Sequence, residues 1–185
     1  MRGEILGLSR LEARDRAWEM ITARIANRYG ELKPIAYRLE GGFNGGFAPG
    51  AAHCASWSYG ERTPTSDCIG FVLWCSGIDR LQPGYHGTRG EWLNCASLMD
   101  DAIDGRKFCR PLVEMGVNKE RVLAGDWLLT RDHIGIIVRP DTHGDRHLVA
   151  DCSPRHGRDA AINLGYEWSD ACKVIRPTTL VYPRG

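Results

Sequence analysis

Cys68 stands in Asp67-Cys68-Ile69-Gly70-Phe71-Val72, just after a polar turn and at the mouth of a short apolar segment. Thr65, Ser66 or Asp67 can cap a helix opening there by accepting a hydrogen bond from a first-turn amide. A thiol in that turn lies in the partial positive charge of the helix N-terminus, which favours thiolate. The same free amides can hold the oxyanion that develops on an attacked carbonyl. The position therefore reads as a catalytic nucleophile. On its own, a cysteine in an apolar helix also fits an inert core residue, so the reading needs a base.

Histidine is the usual base for a thiol, since its proton affinity lies near neutral pH. Of the six histidines, His133 is the most constrained by context. It opens a strand directly after the turn Thr130-Arg131-Asp132, where its ring can emerge at a sheet end. Alternation places His133, Gly135 and Ile137 on one face, and Gly135 leaves room for a neighbouring helix. The strand holding Val149-Ala150-Asp151 can return antiparallel through the turn at 139–146. That brings Asp151 to the His133 end, a fitting acceptor to fix the tautomer and direction of the ring. Cys152 should then point to the opposite face, away from the site.

The elements that must carry these groups follow from pattern. Ser9-Arg10-Leu11-Glu12 has capping-box spacing, and the helix it opens is expected over about 9–29, with Gly30 as its stop. Trp18, Ile21, Ile25 and Tyr29 would form its buried stripe. Residues 41–64 are glycine-rich without a following Gly-Lys-Ser/Thr, so they read as a surface loop near the cleft and not as a phosphate cradle. The apolar stretch from about Cys68 to Ser76 is a buried helix ended by Gly77. Trp92 to Ala102 reads as a helix and Lys107 to Met115 as a second helical piece. The C-terminal third reads as β structure: a hairpin around Trp127–Leu129 and His133–Val138, then strands near 147–152, 160–164 and 172–176. Helices followed by an antiparallel sheet imply an α+β class. No internal repeat or linker divides residues 1–185, so one domain is expected.

Four segments in order resemble the NlpC/P60 family of papain-like cysteine peptidases and amidases. They are Trp57-Ser58-Tyr59-Gly60-Glu61-Arg62-Thr63-Pro64, Asp67-Cys68-Ile69-Gly70-Phe71-Val72, Ala124-Gly125-Asp126-Trp127 and Asp132-His133-Ile134-Gly135-Ile136-Ile137-Val138. The resemblance covers roughly residues 50–155. It implies a papain-like fold, with helices on a central antiparallel sheet, the nucleophile at the N-terminus of a buried helix and a catalytic core over about 50–180. It implies Cys68 as nucleophile, His133 as base and Asp151 in the third position, with His147, on the same strand face, as the alternative. Tyr59 would bind substrate or stabilise the oxyanion, and Trp57 beside it would line the cleft. Ile69 stands where the family usually has serine, which alters the wall beside the thiol. The Cys68–His133 interval is longer than usual because of residues 92–120. The implied activity is hydrolysis of an amide bond in the peptide portion of bacterial peptidoglycan through a thioester. The alternatives are a Cys–His acyltransferase or deamidase, or a non-catalytic phage-tail or secretion-apparatus module of the same fold.

Composition narrows the classes further. Lys plus Arg number 24 against 23 Asp plus Glu, so no single-sign field draws in nucleic acid or an anionic membrane. No apolar run approaches the ~18 residues of a membrane span, and no secretory signal is visible. Synthesis in the cytoplasm is expected, with delivery to a wall by lysis, a phage particle or a secretion system, and with any inhibitor or delivery partner unspecified. The seven cysteines include no Cys-x-x-Cys pair and read mostly as reduced, buried side chains, Cys75 among them. His143, His147, Cys152 and His156 lack tetrahedral-site spacing, so no metal is expected. No organic cofactor is expected either.

Overall fold

The hydroxyl of Ser9 and the carboxylate of Glu12 cap the first helix reciprocally, with Ser9 N–H donating to Glu12 Oε2 at 2.9 Å and Glu12 N–H to Ser9 Oγ at 3.3 Å. In the computed structural model, which describes residues 8–22, 25–26, 31–37, 65–78, 93–104, 109–114, 121–141, 146–156, 162–166 and 172–178, this helix is α1, Arg10–Met20. It is half the length expected from the spacing of Trp18, Ile21, Ile25 and Tyr29. Ala13, Ala17 and Met20 form its buried face, while Trp18 is 52% exposed and Ile25 lies in a short strand, β1 (Ile25–Ala26). Small residues at the contact let α1 lie close to its neighbours, and the β-branched pair Ile21-Thr22 marks where helical preference fades. Tyr29 lies outside the described residues.

Helix α2, Cys68–Ser76, is buried almost all round, and it ends at Gly77 in the left-handed conformation (φ 67°). A Cβ at Gly77 would also stand 2.8 Å from Leu8 Cγ, so both backbone and space call for glycine. Trp74 is the half-buried exception on α2, and the Arg16 guanidinium of α1 stacks 5.0 Å from its ring centre. Helix α3, Cys95–Asp104, falls close to expectation.

Short strands β2 (Leu32–Lys33), β3 (Ala36–Tyr37) and β4 (Thr65–Ser66) precede α2. β3 and β4 pair in parallel, with Tyr37 opposite Ser66. The main sheet contains β5 (Cys109–Glu114), β6 (Trp127–Leu129), β7 (Ile134–Arg139), β8 (Leu148–Cys152), β9 (Ile162–Tyr166) and β10 (Lys173–Pro177). Its order is β5-β10-β6-β7-β8-β9, antiparallel throughout. The helical expectation for Lys107–Met115 is overturned: Cys109–Glu114 is an edge strand on β10, where Pro111 is tolerated because an edge leaves one side of the ladder unpaired.

Alternation sorts the sheet into two faces. Trp127, Leu129, Ile134, Ile136, Val138, Ala150, Cys152 and Ile175 join the helices in the larger core. Leu128, Ile137, Val149 and Val174 form a smaller cluster with Val122 and Cys172 on the other face. The class is α+β, with three α-helices among the described residues against the antiparallel sheet. No helix among those residues is long and apolar enough to cross a membrane.

Candidate active site

Asp67 is the N-cap of α2, extended at φ −109° and ψ 179°, and its Oδ1 accepts the Gly70 N–H at 2.7 Å. The Phe71 N–H donates to the Asp67 carbonyl at 3.0 Å. Among the described residues the remaining first-turn amides, those of Cys68 and Ile69, have no acceptor. Cys68 is the first residue of the helix, with its thiol in the positive end of the helix dipole.

His133 is held by its turn before its ring does anything. Thr130 N–H donates to the His133 carbonyl at 2.8 Å, and His133 N–H donates to Thr130 Oγ1 at 3.0 Å. The Thr130 hydroxyl is itself tied to Asp132 Oδ1 at 2.8 Å. The ring then places Nε2 2.8 Å from Asp151 Oδ2, with the Asp151 side chain 3% exposed. This pairing follows from register: Asp151 lies directly opposite Gly135, which puts it diagonal to His133 on the same face.

Gly135 makes room for that diagonal. A Cβ there would run into Val149 Cγ1 and stand 3.1 Å from the Ala150 carbonyl oxygen and 3.4 Å from Asp151 Cβ. The space beside Gly135 therefore belongs to the adjacent strand and not to a helix, which corrects the expectation from sequence. With Nε2 committed to the carboxylate, Nδ1 is the ring nitrogen left to face the thiol, and Cys68 and His133 lie close enough to shift each other's proton affinity.

The electrostatics follow from these contacts. A hydrogen bond from Cys95 is the largest influence on the Cys68 thiol and holds it well below its ordinary range, against the opposing pull of burial. The hydrogen bond and charge of His133 lower it further, as does the Ile134 N–H. At His133, burial works to lower proton affinity, but the Asp151 hydrogen bond and then Cys68 outweigh it and push the ring up to about 10. Both shifts favour a thiolate–imidazolium pair over a neutral thiol and imidazole. Tyr37 is pushed up to about 12, first by burial and then by Cys68, Asp67, Cys152 and Cys95, so its phenol stays protonated and able to donate.

The structure brings Cys68, His133 and Asp151 together. It does not put His147 with them: its ring Nδ1 accepts the Asp141 N–H at 2.9 Å, at the other end of the β7–β8 hairpin. Cys152 points to the face opposite Asp151, as alternation requires, but that face carries α2. Its thiol donates to the Ser66 carbonyl at 3.5 Å, so it lies beneath the site and not away from it. Trp57, Tyr59 and His143 lie outside the described residues. Among the described residues no three His, Cys, Asp or Glu side chains gather to hold a metal.

Two neighbours of the thiol escaped sequence reasoning. Tyr37 arrives through the parallel β3–β4 pairing, which leaves no periodic trace in so few residues. Cys95 had a usable signal: Asn94-Cys95 repeats the cap-then-cysteine order of Asp67-Cys68. Comparison of the chain with protein-family models, with curated proteins and with solved structures finds no match.

Proposed function

We propose that this protein is a cysteine hydrolase that cleaves an amide bond by nucleophilic attack of Cys68. The observation that carries the reading is one constellation: a first-turn helical thiol beside His133, whose ring Nε2 stands 2.8 Å from the buried Asp151 side chain. A thiolate already formed beside an imidazolium needs no further base in order to attack a carbonyl. The tetrahedral oxyanion would be held by the Cys68 amide, with the Tyr37 phenol or Tyr59 as a further donor. Removing such a donor typically costs about 3–4 kcal/mol of barrier. The imidazolium then protonates the leaving amine, and His133, now neutral, draws a proton from the water that releases the acyl group. Asp151 holds the ring in direction and tautomer throughout.

The four ordered segments support a finer assignment, to a papain-like NlpC/P60 domain whose substrate is the peptide portion of bacterial peptidoglycan. Delivery to the wall would come through lysis, a phage particle or a secretion system. The test is digestion of defined muropeptides with product masses measured. Wild-type protein should give a new amine and a new carboxylate from one peptide bond, which separates hydrolysis from acyl transfer. Cys68→Ala should give neither while keeping its circular dichroism and melting curve. Equal digestion by wild type and Cys68→Ala would sink the mechanism.

A further inference from the structure

Beside the Cys68 thiol lies a second one. Cys95 Sγ is 3.8 Å from Cys68 Sγ, and both residues are 7% exposed. The two sites are built alike. Asn94 Oδ1 accepts the Ser97 N–H at 2.9 Å, Ser97 Oγ accepts the Asn94 N–H at 3.1 Å, and the Leu98 N–H donates to the Asn94 carbonyl at 3.0 Å. Asn94 is therefore the cap of α3 and Cys95 its first residue, as Asp67 and Cys68 are for α2. Two helix N-termini converge on one pair of sulfur atoms. His133 and Asp151 need only one of them, and the hydrolytic steps above use the second only as a hydrogen-bond donor to the first.

We propose that Cys68 and Cys95 are a reversible redox-modification site, closing to a disulfide when the protein meets a hydroperoxide. The inference goes beyond the hydrolase reading and rests on the sulfur–sulfur geometry, whatever the substrate of Cys68. The Cys68 thiolate attacks the peroxide O–O bond, giving sulfenic acid and hydroxide, which takes up the proton the thiol had lost. The Cys95 sulfur then attacks Cys68 sulfur and expels hydroxide, which leaves as water with the Cys95 proton. Two thiols lose two electrons and two protons, and peroxide becomes two waters.

To form the bond the sulfurs must close to about 2.05 Å, less than 2 Å of travel from the separation of 3.8 Å. A molecule the size of hydrogen peroxide suits a thiol that is nearly but not wholly covered. Closure ties up the nucleophile and protects it from sulfinic acid, which thiols do not reverse.

The experiment treats the reduced full chain with a small molar excess of hydrogen peroxide at pH 7. Remaining thiols are then blocked with N-ethylmaleimide under denaturing conditions and the peptides are mapped without reduction. A linked pair of peptides carrying Cys68 and Cys95, lost on adding dithiothreitol, is the expected result. Cys95→Ala should show no link, and of the Cys68 that is oxidised a several-fold larger share should end as irreversible sulfinic acid. Sulfinic acid at Cys68 of the wild type without a linked peptide overturns the proposal. So does a link from Cys68 to a different cysteine, or retention of both thiols in alkylatable form. Each readout is a mass, so it stands or falls separately from the cleavage of any wall peptide.

Discussion

His133 binds its proton more tightly than a solvent-exposed imidazole because Asp151 and Cys68 outweigh the cost of burying the charge. The active ion pair exists above the depressed range of the thiol and below the raised range of the ring. Activity should therefore extend below the pH at which an ordinary thiol ionises and fall on the alkaline side as His133 loses its proton near pH 10. Asp151→Asn keeps a hydrogen-bonding side chain and deletes the charge, so the ring should release its proton at lower pH. The alkaline limb of kcat/KM against pH should then move down toward neutrality. An alkaline limb that stays in place in Asp151→Asn would remove the carboxylate from the account. Local chemistry made Cys68, His133 and Asp151 readable in advance. A cap before an apolar helix, a Thr–Asp turn before a strand and a hairpin register all act over a few residues. Tyr37 reaches the site through non-local strand pairing, which leaves no comparable trace, and Cys95 shows a cap-then-cysteine signal whose convergence on Cys68 only non-local packing reveals.

The β7–β8 hairpin carries the histidine–carboxylate pair, and its fit depends on the missing side chain at residue 135. Gly135→Ala should push Val149 and the neighbouring backbone outward, costing about 1–3 kcal/mol as overpacking does, read from urea denaturation. The displacement should also cut activity, since Asp151 lies on the strand that moves. Val149→Ala in the same chain should recover much of the lost stability, because the first obstacle is that side chain. A double variant no more stable than Gly135→Ala alone would show that the crowding lies elsewhere. Helix α2 was legible in full, since a cap, an unbroken apolar run and a left-handed glycine bracket it. The end of α1 was not, because Ile25 and Tyr29 continue a helical spacing while the chain has already turned into β1. The edge strand Cys109–Glu114 was missed for a related reason: its identity comes from pairing with residues far along the chain.

The sheet is fastened across its middle by one buried ion pair. Arg176 on β10 grips Asp126 with both arms, Nε to Oδ1 and Nη2 to Oδ2, each at 2.9 Å, and the carboxylate is wholly buried. The Leu123 N–H adds a third hydrogen bond to Asp126 Oδ2 at 2.8 Å, and Arg176 Nη2 also donates to the Arg121 carbonyl at 2.8 Å. Asp126, which sequence resemblance placed in a family motif, thus serves to hold the loop before β6 against β10. Arg176→Met leaves that carboxylate buried without its cation and should cost about 3–5 kcal/mol, seen as a lower urea midpoint with little change in slope. Gly125, at φ 91°, passes close beneath α1, where a Cβ would stand 2.6 Å from the Arg10 carbonyl oxygen. The same loop is therefore pinned from the helical side as well.

Strand order also sets a timetable for synthesis. β6 to β9 form a meander of sequence neighbours, so the hairpin bearing His133 and Asp151 can assemble soon after it leaves the ribosome. Among the described strands β5 touches only β10, which is made later than either strand it separates. A nascent chain stalled before residue 173 would hold β5 and β6 with open edges, inviting the wrong partners. For the cell, finished molecules and interrupted ones would differ in solubility long before they differ in chemistry.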